Sequence, residues 1–152
     1  MKEPEISYEY IRGLIEGEGC FSFSPTGREV ILSNGKSVKE KSPGFYLVMH
    51  ERDKCLIETV RDSLNLANKV YRRKNQVYQL GRADSYVLAV RDFESFRSII
   101  IPLFYGKLHG HKGYQFLCWL EEMGEENKSH PARTLYFLYK TGFFDSSIDE
   151  FL

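Results

Sequence analysis

The residues most able to do chemistry lie in one short stretch, YIRGLIEGEGCFSFS, from Tyr10 to Ser24. Two acids, Glu16 and Glu18, stand where an apolar helix should end, and three glycines, Gly13, Gly17 and Gly19, surround them. Each of these choices costs stability. Glycine in a helix interior costs about 1 kcal/mol relative to alanine, and a carboxylate at a helix C-terminus faces the negative end of the macrodipole. Gly13 and Gly17 are four residues apart and share a helical face, which they leave nearly bare. Such a face either lets another backbone approach closely or merely tolerates glycine beside a neighbouring strand. With one copy of the motif, close approach to a like helix requires two-fold pairing of two chains. Glu18 would then emerge beside its symmetry mate, and a hard divalent cation such as Mg²⁺ or Ca²⁺ would relieve the repulsion. Gly19 stands where a left-handed residue commonly terminates a helix.

The elements that must position these acids follow from periodicity. Residues 7–18 suit a helix with Ile11, Leu14 and Ile15 on its apolar face. From Cys20 the period falls to two, with Phe21 and Phe23 on one side and Ser22 and Ser24 on the other. Pro25-Thr26-Gly27 predicts a break, Val30 to Leu32 a continuation beyond a kink, and Asn34-Gly35 a turn. KSVKEKSPG (36–44) reads as a polar, basic loop, and Phe45 to Met49 as a second strand. Asp53 is placed to cap a helix carrying Leu56, Ile57, Val60 and Leu64. Lys69–Arg73 and Val77–Leu80 flank Lys74-Asn75-Gln76 as a hairpin, and Tyr86–Val90 forms a further strand. Asp92 opens a helix that should stop at Pro102, and helices are expected over 112–123 and 132–140. This alternation of antiparallel strands and helices predicts an α+β fold in a single domain spanning 1–152, with a core of about 7–124 and a C-terminal extension of about 125–152.

Charge is segregated rather than absent. The 21 basic and 21 acidic residues cancel, yet residues 68–83 carry five cations and no acid, and residues 121–126 carry four acids. A basic face is therefore available for nucleic acid in a neutral chain. The three cysteines, Cys20, Cys55 and Cys118, form no CxxC pair and fit small buried side chains in a reducing compartment. His109 and His111 lack the companion ligands that zinc requires. No apolar run is long enough to span a bilayer, which predicts an intracellular protein with no membrane partner.

IRGLIEGEG (Ile11–Gly19) is similar to the signature of LAGLIDADG homing endonucleases, with Gly17 a common variant. Three later segments, in the expected order, strengthen the resemblance. FYLVMHERDKCLIETV (45–60) resembles the second strand and its helix, KVYRRKNQVYQL (69–80) the DNA-reading ribbon, and KLHGHKGYQFLCW (107–119) the segment that carries a catalytic lysine. The resemblance implies an αββαββα core with a saddle-shaped antiparallel sheet, homodimerisation, and metal-dependent cutting of a long, nearly palindromic DNA target.

By that resemblance Glu18 and the Gly17 carbonyl would hold Mg²⁺, with Ca²⁺ or Mn²⁺ able to substitute. Lys112 would stabilise charge on the phosphate, and Gly13, Leu14 and Gly17 would form the dimer seam. An intron-encoded origin is implied. The alternatives are an RNA-binding splicing cofactor and a DNA-binding protein without catalysis. One departure bears on the second of these: Met49 stands where relatives often carry glutamine, so His50, Arg52 or a water must supply the lost hydrogen bond. Strand parity and position give the candidate DNA contacts Ser22, Ser24, Thr26, His50, Lys69, Tyr71, Arg73 and Asn75, with Tyr46, Arg28, Lys36, Lys39 and Lys41 weaker. Arg72, at the opposite parity, is expected to follow a bulge or to pair with an acid.

Overall fold

The computed structural model describes residues 4–75, 81 and 83–146. The chain forms two compact units, each assembled from two segments: Met1–Cys20 with Phe45–Val90, and Phe21–Gly44 with Arg91–Leu152. The core element order is α1 (Tyr8–Glu18), β1 (Gly19–Ile31), β2 (Ser37–His50), α2 (Lys54–Ser63), β3 (Val70–Arg73), β4 (Ser85–Val90) and α3 (Phe93–Ser95). The expected alternation of helix and strand is thus present. The four strands form one sheet in the order β1-β2-β4-β3. No helix among the described residues is long and apolar enough to cross a membrane.

In the first unit, the Ser7 side chain accepts a hydrogen bond from the Tyr10 N–H at 3.1 Å and starts α1, whose Ile11 and Ile15 are fully buried. The helix ends at Gly19, but not through a left-handed residue. Gly19 is extended, with φ −79° and ψ 158°, and its N–H is donated to the Ile15 carbonyl. Glycine is required there by space: a Cβ would lie 2.4 Å from Ile15 Cγ2 and 2.9 Å from Ile15 O. β2 pairs antiparallel with β4, Leu47 opposite Leu88 and Met49 opposite Tyr86, and β3 pairs antiparallel with β4, Val70 opposite Leu88. The described partner of β3 is therefore β4; Val77–Leu80, expected as the returning strand, lies outside the described residues. α2 packs on β3 and β4 through a face that includes the buried Ile57 and Val60. Asp53 precedes it without a side-chain cap bond. A single 3-10 turn (Glu51–Asp53) intervenes instead, capped by His50, whose Nδ1 accepts the Arg52 N–H at 3.0 Å.

In the second unit β1 runs unbroken through Pro25-Thr26-Gly27, and β2 begins at Ser37, so the segment read as a loop is strand. β2 pairs with β1 along this ribbon, and a distant segment adds further backbone bonds. The Lys41 N–H is donated to Asn127 O and the Lys41 carbonyl accepts from Ser129 N–H, at 2.9 and 2.8 Å. Phe21 packs against Phe104, Phe116 and Trp119 with ring centroids 5.7, 5.1 and 5.2 Å away, and Trp119 Nε1 donates to the Ser22 carbonyl at 2.9 Å. Asp92 caps α3 through the Ser95 N–H, but the helix does not stop at Pro102. It widens into a π-helical turn (Phe96–Ile100) and continues as α4 (Ile101–Phe104). Ile101 N–H bonds the Phe96 carbonyl, five residues back, and this looser turn accommodates a proline that has no N–H to give. α5 (Gly110–Glu122) and α6 (His130–Lys140) pack on one another, with Trp119, Leu120, Leu135 and Phe144 buried. The C-terminal extension thus contributes to the core of this unit.

Candidate functional site

Glu18 is the last residue of α1 and is exposed. Gly13 and Gly17 are exposed too, and a Cβ built on either would meet nothing within 4 Å. Among the described residues nothing therefore demands glycine at these two positions, in contrast to Gly19. The neighbouring-strand explanation of the bare face fails for this reason. Leu14 is half-buried on the same stripe, and Tyr10, 47% exposed, extends it at the i, i+3, i+4, i+7 spacing of one helix face. Tyr10 was not among the sequence-derived seam residues, although that spacing was there to be read.

As a cation site, the end of α1 offers hard oxygen donors, the Glu18 carboxylate and the Gly17 carbonyl, of the kind that Mg²⁺ and Ca²⁺ accept. It offers too few of them in one chain. Among the described residues no group of three or more His, Cys, Asp or Glu is placed to hold a metal. A second copy of the stripe, brought up by two-fold symmetry, would double the donor set.

The register of the first unit sorts the candidate DNA contacts onto faces. Antiparallel partners lie side by side on one face and successive residues alternate. Tyr46 is opposite Ala89, His50 opposite Ser85, Tyr71 opposite Val87 and Arg73 opposite Ser85. Tyr46, His50, Tyr71 and Arg73 therefore occupy one face of the sheet. Phe45, Leu47, Met49, Tyr86 and Arg72 share the other, where Tyr86 lies beneath the Lys54 ammonium of α2 at 5.3 Å from its ring.

Arg72 pairs there with acids: Nη2 lies 2.7 Å from Asp84 Oδ2 and 3.2 Å from Glu51 Oε2. Asp84 also accepts the Asn75 N–H at 2.7 Å. That backbone bond, with the bond and charge of Arg72 and the charge of Lys74, holds the Asp84 carboxyl below the usual aspartate range, while the bond to Asp84 raises Arg72. Asn75, half-buried, is anchored by its backbone at the end of β3, and Lys69, Tyr71 and Arg73 are exposed.

On β1, Ser22 and Ser24 are half-buried, and Thr26 and Arg28 are exposed. Thr26 Oγ1 donates to Glu40 Oε1 at 2.9 Å and accepts the Arg28 N–H at 3.3 Å, so its hydroxyl is engaged across the ribbon. Lys39 is exposed on β2, at the sequence parity of Phe45 rather than of Tyr46. In the second unit, Lys112 is half-buried in the first turn of α5. A Cβ at Gly113 would lie 2.8 Å from Leu108 O, so glycine there lets the turn that carries Lys112 fold tightly onto the preceding loop. His109 precedes the helix without a side-chain cap bond, and His111 stacks on Tyr114 with centroids 6.0 Å apart.

Comparison with known proteins places these features in a family context. The profile of the family described as LAGLIDADG endonuclease matches residues 11–123. Among solved structures, the chain resembles the meganuclease I-SmaMI bound to uncleaveable DNA, at 15% identity and a TM-score of 0.61, over 95% of this chain and 41% of that one. It resembles the homing endonuclease I-TnaI at 19% identity and 0.57, over 98% of this chain and 100% of that one. It resembles the intron-encoded I-CeuI complexed with DNA at 14% identity and 0.56, over 95% and 62%. At such identities the likeness is one of fold. The chain spans only 41% of the I-SmaMI chain and 43% of the meganuclease I-CpaMI chain. No curated protein matches the sequence.

Proposed function

We propose that this chain, which belongs to the LAGLIDADG endonuclease family, acts as a homodimeric, site-specific endonuclease that cuts both strands of a long, nearly palindromic DNA target with Mg²⁺. The observation that carries the proposal is the α1 stripe: Gly13 and Gly17 are exposed and face empty space in a single chain, directly before the exposed Glu18. One helix edge left bare of side chains suits a subunit that is completed by a second copy of the same edge.

Each residue has a physical task. Glu18 and the Gly17 carbonyl would hold the cation at the helix end, where their negative potential is otherwise a cost. A bound Mg²⁺ supplies charge neutralisation and polarisation of the scissile phosphodiester. Lys112 places a positive charge on the phosphate oxygens as negative charge builds there. His50 is suited to the hydrogen bond that Met49 cannot make. Its Nδ1 accepts the Arg52 N–H, which leaves the Nε2–H to donate from the DNA-facing side of the sheet. Arg52, by contrast, lies 3.9 Å from Asp53. Tyr46, Tyr71 and Arg73 on that face, with Ser22, Ser24, Thr26, Arg28, Lys69 and Asn75, contact the duplex; Lys39, at the opposite parity on β2, is not placed with them. Arg72 does not, because its charge is committed to Glu51 and Asp84.

The test is cleavage of a randomised duplex pool with and without Mg²⁺, followed by Glu18→Gln on the selected site. The substitution keeps size and removes charge. It is expected to abolish cutting while retaining binding within a few-fold. A Glu18→Gln protein that cuts at the wild-type rate would overturn the assignment of Glu18.

A further inference from the structure

β1 and β2 have 13 and 14 residues, so the ribbon they form reaches about 40 Å. The aromatic packing of the second unit covers only its base, at Phe21 and Phe23; from Pro25 to Glu29 β1 is exposed, and Ile31 is 79% exposed. A bare two-stranded ribbon is marginally stable and would not hold a fixed angle.

The connection between α5 and α6, residues 125–129, runs along this outer half and ties it at three levels. At the tip, the Glu126 carboxylate accepts both the Ser33 N–H and the Ser33 hydroxyl, each at 2.7 Å. Midway, Lys41 exchanges backbone hydrogen bonds with Asn127 and Ser129 in a parallel bridge to Lys128. Nearer the base, the buried Lys128 ammonium sits 4.8 Å from the Phe23 ring centroid and is bonded to Glu125 at 3.0 Å and Asn127 at 2.9 Å.

We propose that residues 125–129 are a brace that fixes where the β1–β2 tip meets DNA, with Glu126 and Ser33 as positioning residues for base choice at the outer ends of the target. This deepens, and rests on, the endonuclease reading above. Base readout needs donors and acceptors held to within fractions of an ångström, and the basic side chains toward the tip, Arg28 and Lys36, are long and exposed. A charged carboxylate with two short bonds at the tip supplies that stiffness. The Ser33 bonds hold the Glu126 carboxyl below the usual range, so it remains charged at neutral pH.

Two measurements on wild type, Glu126→Ala and Ser33→Ala test this. Amide hydrogen exchange without DNA should show residues 32–38 losing about tenfold in protection in Glu126→Ala, less in Ser33→Ala, with the α5 core unchanged. Selection from a randomised pool should show Glu126→Ala losing about tenfold in discrimination at the outermost target positions, with KM raised, kcat retained and central preferences intact. Glu126→Gln, which keeps one acceptor, should be intermediate. Unchanged exchange at the tip overturns the brace. Loosened exchange with unchanged outer discrimination overturns its role in specificity. A wild-type protein that selects no DNA overturns the endonuclease reading, and with it the specificity role, while the exchange data still decide the brace.

Discussion

Three glycines within seven residues look alike on paper and behave differently in space. Gly19 is demanded by the chain itself, because a methyl group would drive into Ile15. Gly13 and Gly17 are demanded by nothing among the described residues. This predicts opposite outcomes for one substitution. Gly19→Ala should cost about 1–3 kcal/mol of monomer stability through overpacking, read by chemical denaturation. Gly17→Ala should stabilise the isolated helix by up to about 1 kcal/mol yet weaken self-association, read by equilibrium sedimentation. If Gly17→Ala leaves self-association intact, the stripe is not the seam. The sequence revealed the oddity of the glycines but could not separate them, since close approach at Gly19 is set by the helix-to-strand turn and open space at Gly17 by what is missing around it.

At the level of elements, β3 depends on an ion cluster. Asp84 gathers the Asn75 N–H and Arg72, beside Lys74, while Glu51 shares Arg72. A folded-state pKa below the unfolded one gives stability that is full above the ordinary aspartate range and is lost as pH falls through the folded value. Asp84→Asn should therefore lower the melting temperature at pH 7, and its difference from wild type should shrink steadily as pH falls below the ordinary aspartate range; a pH-independent difference would refute the ionic account. The Trp119–Ser22 bond makes a second prediction. Trp119→Phe keeps most of the aromatic packing and loses the N–H donor, so it should cost about 1 kcal/mol or more, measured by denaturant unfolding. Locally encoded elements were legible: α1 from the spacing of its isoleucines, the base of β1 from alternating phenylalanines, α3 from Asp92. Elements held by distant partners were not. KSVKEKSPG has no apolar period, and it is strand because it pairs with β1 in the sheet, with Lys41 further bonded to residues 127 and 129. Pro102 signals a stop that the π-helical turn cancels. Arg72 was legible as an exception to parity, but its partners come from 12 and 21 residues away.

For the whole molecule, net charge is zero, so long-range attraction cannot by itself bring the chain to DNA; the basic side chains must be concentrated where the duplex lies. Tyr46, His50, Tyr71 and Arg73 share a sheet face, and the acids at Glu51 and Asp84 neutralise Arg72 rather than these. Binding should then be strongly salt-dependent in spite of neutrality, with log K falling linearly against log salt. Neutralising one phosphate-contacting cation should reduce that slope by about one, and by about two in a dimer that uses each cation twice. Arg73→Gln is the discriminating variant, because Arg72→Gln, whose charge is already spent, should leave the slope near its wild-type value while loosening β3. Fluorescence anisotropy of a selected duplex across a salt series measures both. Equal slope changes for the two variants would mean that the face assignment is wrong; a doubled change for Arg73 alone would support both the face and the two-fold assembly.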